Sequence, residues 1–184
     1  MSTLSGHDTV VGKQQDVNVR HNALNVSSNH YDTSDTITRP DDTTAYAALD
    51  VVGEGTAANL VFENAGPSGG QVIINSVSLR IDAAALPTTI STFRLHLYNA
   101  APTAIADNAA FNLIAADRAK YLGYVDISSP IDVGDTLWSQ DNGIGTIVKL
   151  AANSTTLYGV LQTVAAYTPT ALVVKTVTLH NVGV

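Results

Sequence analysis

Histidines are the side chains of this sequence best suited to binding a metal or moving a proton near neutral pH. A helical metal site needs ligands spaced as His-x-x-x-His or Glu-x-x-His, and no histidine pair here has that spacing. His96 alternates with Arg94 and Tyr98 on the polar side of a segment that predicts a strand. We therefore expect His96 to be a surface or interface histidine, and we expect no metal site. The five histidines are His7, His21, His30, His96 and His180.

Other reactive side chains also lack the spacing that chemistry would need. Ser68 lies in a Gly-Pro-Ser-Gly-Gly run, which has the composition of a nucleophile elbow but not its G-x-S-x-G pattern, and Pro67 favours a turn. The runs 107–108, 132–135 and 141–143 could offer oxygen ligands to Ca²⁺, but none matches a calcium loop, and turn chemistry explains them better. Aromatic residues make up 6% of the chain, with Trp138 alone of its type, which argues against a sugar-binding cleft. We expect no enzyme activity and no cofactor.

Composition limits the partners. The 184 residues carry a formal net charge of −7, and the nine Lys and Arg are scattered, so we expect no nucleic-acid binding. Cysteine is absent, which excludes disulfides and thiol chemistry. The first six residues lack the cationic and apolar regions of a signal peptide. No run of about 18 apolar residues occurs, so we expect no membrane span.

Residues 1–37 differ in composition from the rest of the chain, because apolar residues are sparse and Asn, Ser, Asp, Gln and Thr fill the gaps. Two short stretches alternate with period two, but neither offers enough apolar surface to fold alone. A disordered tail is one interpretation. The one we prefer is an extended arm that becomes ordered on a partner subunit by strand addition. Its expected contact residues are Val17, Val19, Arg20, Leu24 and Val26.

Residues 38–184 predict a β-domain. Short apolar runs alternate with Gly-, Pro- and Asn-rich turns, including a predicted turn at 141–143. In the clearest strand, 71–82, the odd positions from Ile73 to Ile81 predict one apolar face. Residues 100–119 contain the best helix candidate, one or two turns with Asp107 or Asn108 as N-cap. The fold class is therefore all-β: an antiparallel, jelly-roll-like sandwich with an N-terminal arm and one short helix. The predicted strands are 46–52, 59–63, 71–82, 92–98, 121–127, 135–138, 144–151, 156–166 and 171–181.

Several segments of the β-domain carry a resemblance to a known family. The region from about 38 to 182 is similar to the β-sandwich of capsid decoration (cement) proteins and related minor virion proteins of tailed bacteriophages. The segments are TRPDDTTAYAALDVV (38–52), VSLRI (77–81), FRLHLYN (93–99), YLGYV (121–125) and LYGVL (157–161).

This resemblance implies a virion structural protein, made in the bacterial host cytoplasm and bound to the capsid exterior. It implies a homo-oligomer, commonly a trimer, with the major capsid protein as partner and no catalytic residues. The alternative is a tail, neck or head-fibre component, or a receptor- or glycan-binding adhesin. In that case loops 83–91 or 139–143 would bind the receptor, with Trp138 or Tyr98 as expected sugar contacts.

Overall fold

The computed structural model describes residues 29–56 and 59–184, together with the backbone of four short strands that precede them. The described residues form fourteen β-strands and one 3₁₀ turn, Ala115–Asp117. The strands are β1 (Ser5–His7), β2 (Gln14–Asp16), β3 (Val19–Arg20), β4 (Ala23–Leu24), β5 (His30–Thr38), β6 (Val51–Val52), β7 (Asn59–Phe62), β8 (Gln71–Ile81), β9 (Phe93–Tyr98), β10 (Tyr121–Ile127), β11 (Ile131–Asp132), β12 (Leu137–Lys149), β13 (Leu157–Thr163) and β14 (Val174–Gly183).

Two antiparallel sheets make up the domain. Sheet I has the order β10-β9-β13, and β6 and β7 share the remaining edge of β13. Sheet II has the order β11-β12-β8-β14-β5. The strands β1 and β2, and likewise β3 and β4, form separate two-stranded ribbons.

The strand pairs are nested along the chain. The first long strand, β5, pairs with the last, β14; inside that pair, β6 and β7 pair with β13, β8 with β12, and β9 with β10. Successive nested pairs lie in alternate sheets. A long antiparallel ribbon rolled up in this way is a jelly roll, so the predicted fold class is confirmed.

The core lies between the two sheets. Phe93, Leu95 and Leu97 point inward from β9, and Val177 and Leu179 point inward from β14; all are fully buried. Burial of each such side chain contributes about 1.5–3 kcal/mol to stability. Alternation of apolar and polar residues therefore builds the sandwich as the sequence predicts.

The apolar face of β8 changes sides along the strand. Val77, Leu79 and Ile81 are buried as predicted, but nearer the start Val72 and Ile74 are buried instead of Ile73. The register of β8 shifts against both neighbouring strands at Asn75, which lies in a β-bulge. Because the bulge adds one residue to β8, the positions that face the core are odd-numbered after Asn75 and even-numbered before it. The prediction that all odd positions face the core is therefore wrong before the bulge.

The predicted boundary between residues 37 and 38 falls inside β5. This strand pairs with β14 over nine residues, from His30 opposite Val182 to Thr38 opposite Val174. Its side chains also bond to the edge of sheet I: Thr33 Oγ1 donates to the Glu63 carbonyl at 2.7 Å, and the Val61 amide donates to Asp35 Oδ2 at 2.6 Å. The sandwich therefore begins at His30.

Two local predictions are wrong. The segment from 100 to 119 contains only the 3₁₀ turn Ala115–Asp117, preceded by Ile114 in an extended conformation without a side-chain cap. The predicted turn at 141–143 lies within β12, where the register against β8 shifts between Asn142 and Thr146. Gly143 and Gly145 have φ values of +71° and +68° there, a conformation that glycine adopts without strain.

The remaining strands form close to their predicted places, although the predicted strand 46–52 is reduced to Val51–Val52 and two isolated bridges, Tyr46 with Tyr167 and Asp50 with Ala110. Across the described part of the chain, no helix has the length and apolar character needed to cross a membrane.

Candidate functional site

The outer surface of sheet I is covered by the chain itself. The segment 99–120 places Phe111 over His96, with ring centroids 3.7 Å apart and planes 9° from parallel. Ile105 and Leu113 of the same segment pack on a small cluster formed by Val51, Tyr98 and Val160. The segment therefore covers the part of this surface around His96 and Tyr98, whereas Tyr124 and Val61 on the same face remain exposed.

His96 is buried under that cover, only 4% exposed, which corrects the prediction of a surface histidine. Its ring nitrogens lie 3.0 Å from the Tyr121 hydroxyl and 3.0 Å from Gln162 Oε1. Gln162 Nε2 in turn donates to the Leu49 carbonyl at 2.8 Å. Burial lowers the pKa of His96 below its ordinary value of 6.5, so the ring is neutral at pH 7 and serves as a structural hydrogen-bonding group.

Among residues 29–56 and 59–184, no segment covers the outer surface of sheet II in this way, although Ser76 and Ser78 on its central strand are themselves buried. On the strands of sheet II, small polar residues alternate with the residues that point into the core. The registers of β12, β8, β14 and β5 align these outward-facing polar residues in rows across the sheet. We call this surface the Ser/Thr face. Its members are Ser34, Thr36, Ser76, Ser78, Gln140, Asn142, Thr176 and Thr178.

The charged groups on the Ser/Thr face are paired with neighbouring side chains. Arg80 Nε lies 2.9 Å from Asp82 Oδ1, and His180 Nδ1 shares a hydrogen bond with Asp32 Oδ1 at 2.9 Å. The polar side chains also bond to each other, as where Ser76 Oγ donates to Asn142 Oδ1 at 2.9 Å. A face on which the charged groups are few and hydrogen-bonded costs less to desolvate than one with isolated charges, so it suits contact with another protein.

Exposed apolar side chains border the Ser/Thr face. At one end Trp138, 36% exposed, lies directly opposite Ile131, which is 62% exposed. Beyond the bulge, Ile147 lies opposite Ile73, which in turn lies opposite Val182. Ile147 is 61% exposed. Apolar groups placed around a neutral polar face are typical of a surface that binds a partner.

The segment 38–52, which carries the family resemblance, forms a buried polar anchor. The Arg39 guanidinium, 1% exposed, donates to the Thr44 carbonyl at 2.7 Å, to Asp42 Oδ1 at 2.9 Å and to the Asp42 carbonyl. It also donates to the Tyr46 hydroxyl at 3.1 Å, and that hydroxyl donates to Asp107 Oδ1 at 2.6 Å. Asp107, a predicted helix cap, instead holds this loop against the domain.

The predicted arm residues are only partly described. Val19 and Arg20 lie in β3 and Leu24 in β4, with Val19 opposite Leu24 in the ladder. Val17 and Val26 lie outside the described residues. The assignment of these five residues to partner binding therefore stays a prediction.

The two predicted sugar contacts do not share a site. Trp138 lies on sheet II, whereas Tyr98 lies on sheet I and is 2% exposed beneath the 99–120 segment. Burial raises the pKa of Tyr98 to about 12. A shallow groove beside Tyr98 contains the Asp117 carboxylate, which is already bonded to Lys120 Nζ at 2.8 Å and to the Thr103 amide at 2.9 Å. Of the two, Trp138 alone is placed to stack on a sugar.

Within residues 29–56 and 59–184, no three His, Asp or Glu side chains come together in a way that could hold a metal ion. No known protein-family model matches the chain, and no curated protein matches it either.

Proposed function

We propose that this protein is a structural protein of a bacteriophage virion, which decorates the capsid exterior and stabilises the head. The Ser/Thr face binds the capsid surface, and residues preceding β5 act as an arm that engages a neighbouring subunit. The major capsid protein is the partner, the protein acts as a homo-oligomer, and it has no catalytic role. Jelly rolls occur in viral capsid proteins but also in lectins and cupins, so the fold by itself does not carry this proposal.

The difference between the two sheet surfaces carries the proposal. The chain covers the centre of sheet I with its own 99–120 segment, whereas no described segment covers the Ser/Thr face of sheet II, whose charged groups are paired and which is bordered by Trp138, Ile131 and Ile147. A repeating lattice presents such a face with many identical surfaces. Binding to the folded state then raises stability by mass action.

The position of β5 supports the role of the arm. β5 is the edge strand of sheet II, so the chain that precedes Asn29 joins the domain beside the Ser/Thr face. An arm that leaves from this edge reaches the same neighbours that the face binds. Fixing the arm against a neighbour costs about 1–2 kcal/mol per backbone residue, so we expect it to bind there only when docking of the face offsets that cost.

Copy number is the first test. Quantitative mass spectrometry of virions purified from the phage that carries this sequence should give a ratio near one copy per capsid subunit. A ratio of a few per hundred would move the protein to the neck, tail or a fibre. Absence from the virion would refute the proposal.

A pair of surface variants tests the face. Thr178→Lys places a new charge in the middle of the Ser/Thr face, and Asn112→Lys places the same charge on the segment that covers sheet I. We expect the first variant to bind purified capsids at least about tenfold more weakly, since an unpaired charge at a buried contact costs more than 1.4 kcal/mol. Both should melt at the wild-type temperature. Equal binding by the two variants would exclude the Ser/Thr face.

Removal of residues 1–28 tests the arm, because the truncated chain keeps every strand of both sheets. We expect it to fold and to bind capsids more weakly.

Light scattering on the intact chain tests the oligomeric state, for which we expect a trimer with three times the 19.2 kDa chain mass.

Exposure of Trp138 favours a second candidate, an adhesin or fibre module that binds a glycan. Its indole is accessible beside Ile131, and aromatic side chains of this kind can stack on sugars. A glycan-array signal that Trp138→Ala abolishes, together with a low copy number, would favour this function over capsid decoration.

A further inference from the structure

The chain contains one Asn-Gly pair, Asn142-Gly143, and it lies within β12 at the Ser/Thr face. Both residues are exposed. The ladder with β8 pairs Asn142 with Ser76 and resumes only at Thr146, so in the described sheet residues 143–145 have no opposite residue on β8. The peptide bond between Asn142 and Gly143 therefore lies at a break in the regular strand pairing.

The backbone of Gly143 is unhindered. Its φ of +71° is a conformation that glycine adopts without strain. A Cβ placed at this position would have no other atom within 4 Å, so the space beside the peptide is open. An amide nitrogen on a residue without a side chain, in open space, is the least hindered nucleophile that a backbone offers.

The side-chain carbonyl of Asn142 accepts two hydrogen bonds. Ser76 Oγ donates to Asn142 Oδ1 at 2.9 Å, and Gln140 Nε2 donates to the same oxygen at 3.0 Å. Ser76 is only 4% exposed, so its hydroxyl is held in place by the sheet. Donors directed at an oxygen on which negative charge develops stabilise the transition state for attack at the attached carbon. The two bonds therefore make Cγ of Asn142 more electrophilic.

We propose that Asn142 is a site of spontaneous deamidation, promoted by the two donors on its side-chain carbonyl. The Gly143 amide nitrogen gives up its proton to solvent and forms a bond to Cγ of Asn142, while the displaced electron pair is held on Oδ1 by Ser76 and Gln140. The bond from Cγ to Nδ2 then breaks, and ammonia leaves with a proton taken from solvent. The product is a five-membered succinimide.

Water completes the reaction. A water molecule adds to either of the two succinimide carbonyls and opens the ring, which leaves aspartate or isoaspartate at position 142. Both products carry a negative charge where the Ser/Thr face had a neutral amide. Isoaspartate also adds one carbon atom to the main chain of β12, at the point where its pairing with β8 is already interrupted.

Tryptic mass spectrometry of the full chain follows the reaction, because the peptide 121–149 contains Asn142 as its single asparagine. The protein is incubated at pH 7 and at pH 9 and then digested in ordinary water. We expect the peptide mass to rise by about 1 Da after incubation in ordinary water and by about 3 Da after incubation in H₂¹⁸O, since OH replaces NH₂. Conversion should be faster at pH 9, because the attacking nitrogen must lose its proton.

The peptide 95–118 is the internal reference. It contains Asn99, Asn108 and Asn112, and none of them precedes a glycine. We expect its mass to stay unchanged over the period in which the peptide 121–149 converts.

Three variants test the geometry. Gln140→Leu removes one donor at an exposed position and should slow the reaction about 2–12-fold, the range for one neutral hydrogen bond. Asn142→Gln keeps the amide but moves its carbon one bond further from the attacking nitrogen, and should abolish the mass shift. Thr178→Ala, which lies elsewhere on the Ser/Thr face opposite Ser78, should react as the wild type does.

Two results would overturn the proposal. One is an unshifted peptide 121–149 after the folded protein has been kept at pH 9 for the time in which a synthetic peptide of the same sequence converts fully. The other is a reaction in Gln140→Leu that is as fast as in the wild type or faster, which would mean that the bonds to Oδ1 do not promote the attack. The wild-type incubation gives the first answer even where a variant does not fold.

Discussion

Replacement of Lys175 by methionine removes a buried charge and keeps the length of the side chain. Lys175 is 1% exposed, and its ammonium nitrogen has no hydrogen-bond partner among the described residues. Burial lowers the pKa of Lys175 from its ordinary 10.5 to about 8, with repulsion by Arg39 acting in the same direction and attraction by Asp107 against it. One pKa unit corresponds to about 1.4 kcal/mol, so the charged form costs roughly 3 kcal/mol in the folded state at pH 7. We expect Lys175→Met to be more stable than the wild type by that order, since a well-packed apolar replacement avoids the cost.

The pH dependence makes this prediction specific. The folded pKa lies below the unfolded one, so between about pH 8 and 10.5 the unfolded chain holds more protons on this lysine. The penalty on the wild type is therefore complete below pH 8 and disappears as the pH rises to 10.5. The gain from Lys175→Met should be largest at pH 7 and should shrink toward pH 10.

Urea denaturation of both proteins at pH 7, 8.5 and 10, in buffers without carboxylates, measures the difference in their free energies of unfolding. Lys149→Met is the matched control and should shift stability by no more than about 0.5 kcal/mol at any pH, as is usual for an exposed site. A variant less stable than the wild type at pH 7, or a gap that does not change with pH, would refute the assignment of a buried, unpaired ammonium.

Three further changes test other parts of the structure. The depressed pKa of His96 should make the wild type lose stability as the pH falls below about 6.5, because the unfolded chain takes up that proton first; thermal melts of His96→Gln should show a shallower loss between pH 7 and 5. Gly159→Ala should cost about 1–3 kcal/mol in urea denaturation, since a Cβ there would lie 2.8 Å from Leu95 Cδ1 and 2.9 Å from Phe62 Cε2. Arg39→Met should cost about 3–5 kcal/mol by the same assay, because it leaves the carbonyls and carboxylates around the guanidinium without their donor; an unchanged midpoint would contradict the buried anchor.

Strand positions were predictable where alternation was strong. The clearest cases are β9, β8 after its bulge and the middle of β14, where apolar residues occupy every second position, as one buried face requires. β5 was missed because its inward positions hold Thr33 and Ile37 and its remaining residues are polar. An edge strand paired on one side has no need of the apolar content that marks a central strand.

Long-range packing explains the other errors. Phe111 and Ile114 have helical spacing, but Phe111 packs on His96, which is distant in the sequence, so spacing alone misassigned the segment. The Asn75 bulge leaves no mark in a pattern of Ile and Val on both sides. The sequence does predict the burial of Lys175. It lies two and four residues before Val177 and Leu179 on the same strand, so its side chain points into the core as theirs do.

The nested pairing also determines the order in which the paired strands become available during synthesis. β5 ends at Thr38, but the strand that completes its edge of the sheet, β14, begins at Val174. Ribosomes add about 5–20 residues per second, so β5 waits on the order of 7 to 30 s for its partner. Closing so long a loop makes folding slow, because the entropy is lost before the contacts form. The innermost pair, β9 with β10, is synthesised much earlier, so we expect it to form first and the Ser/Thr face, which needs β14, to form last.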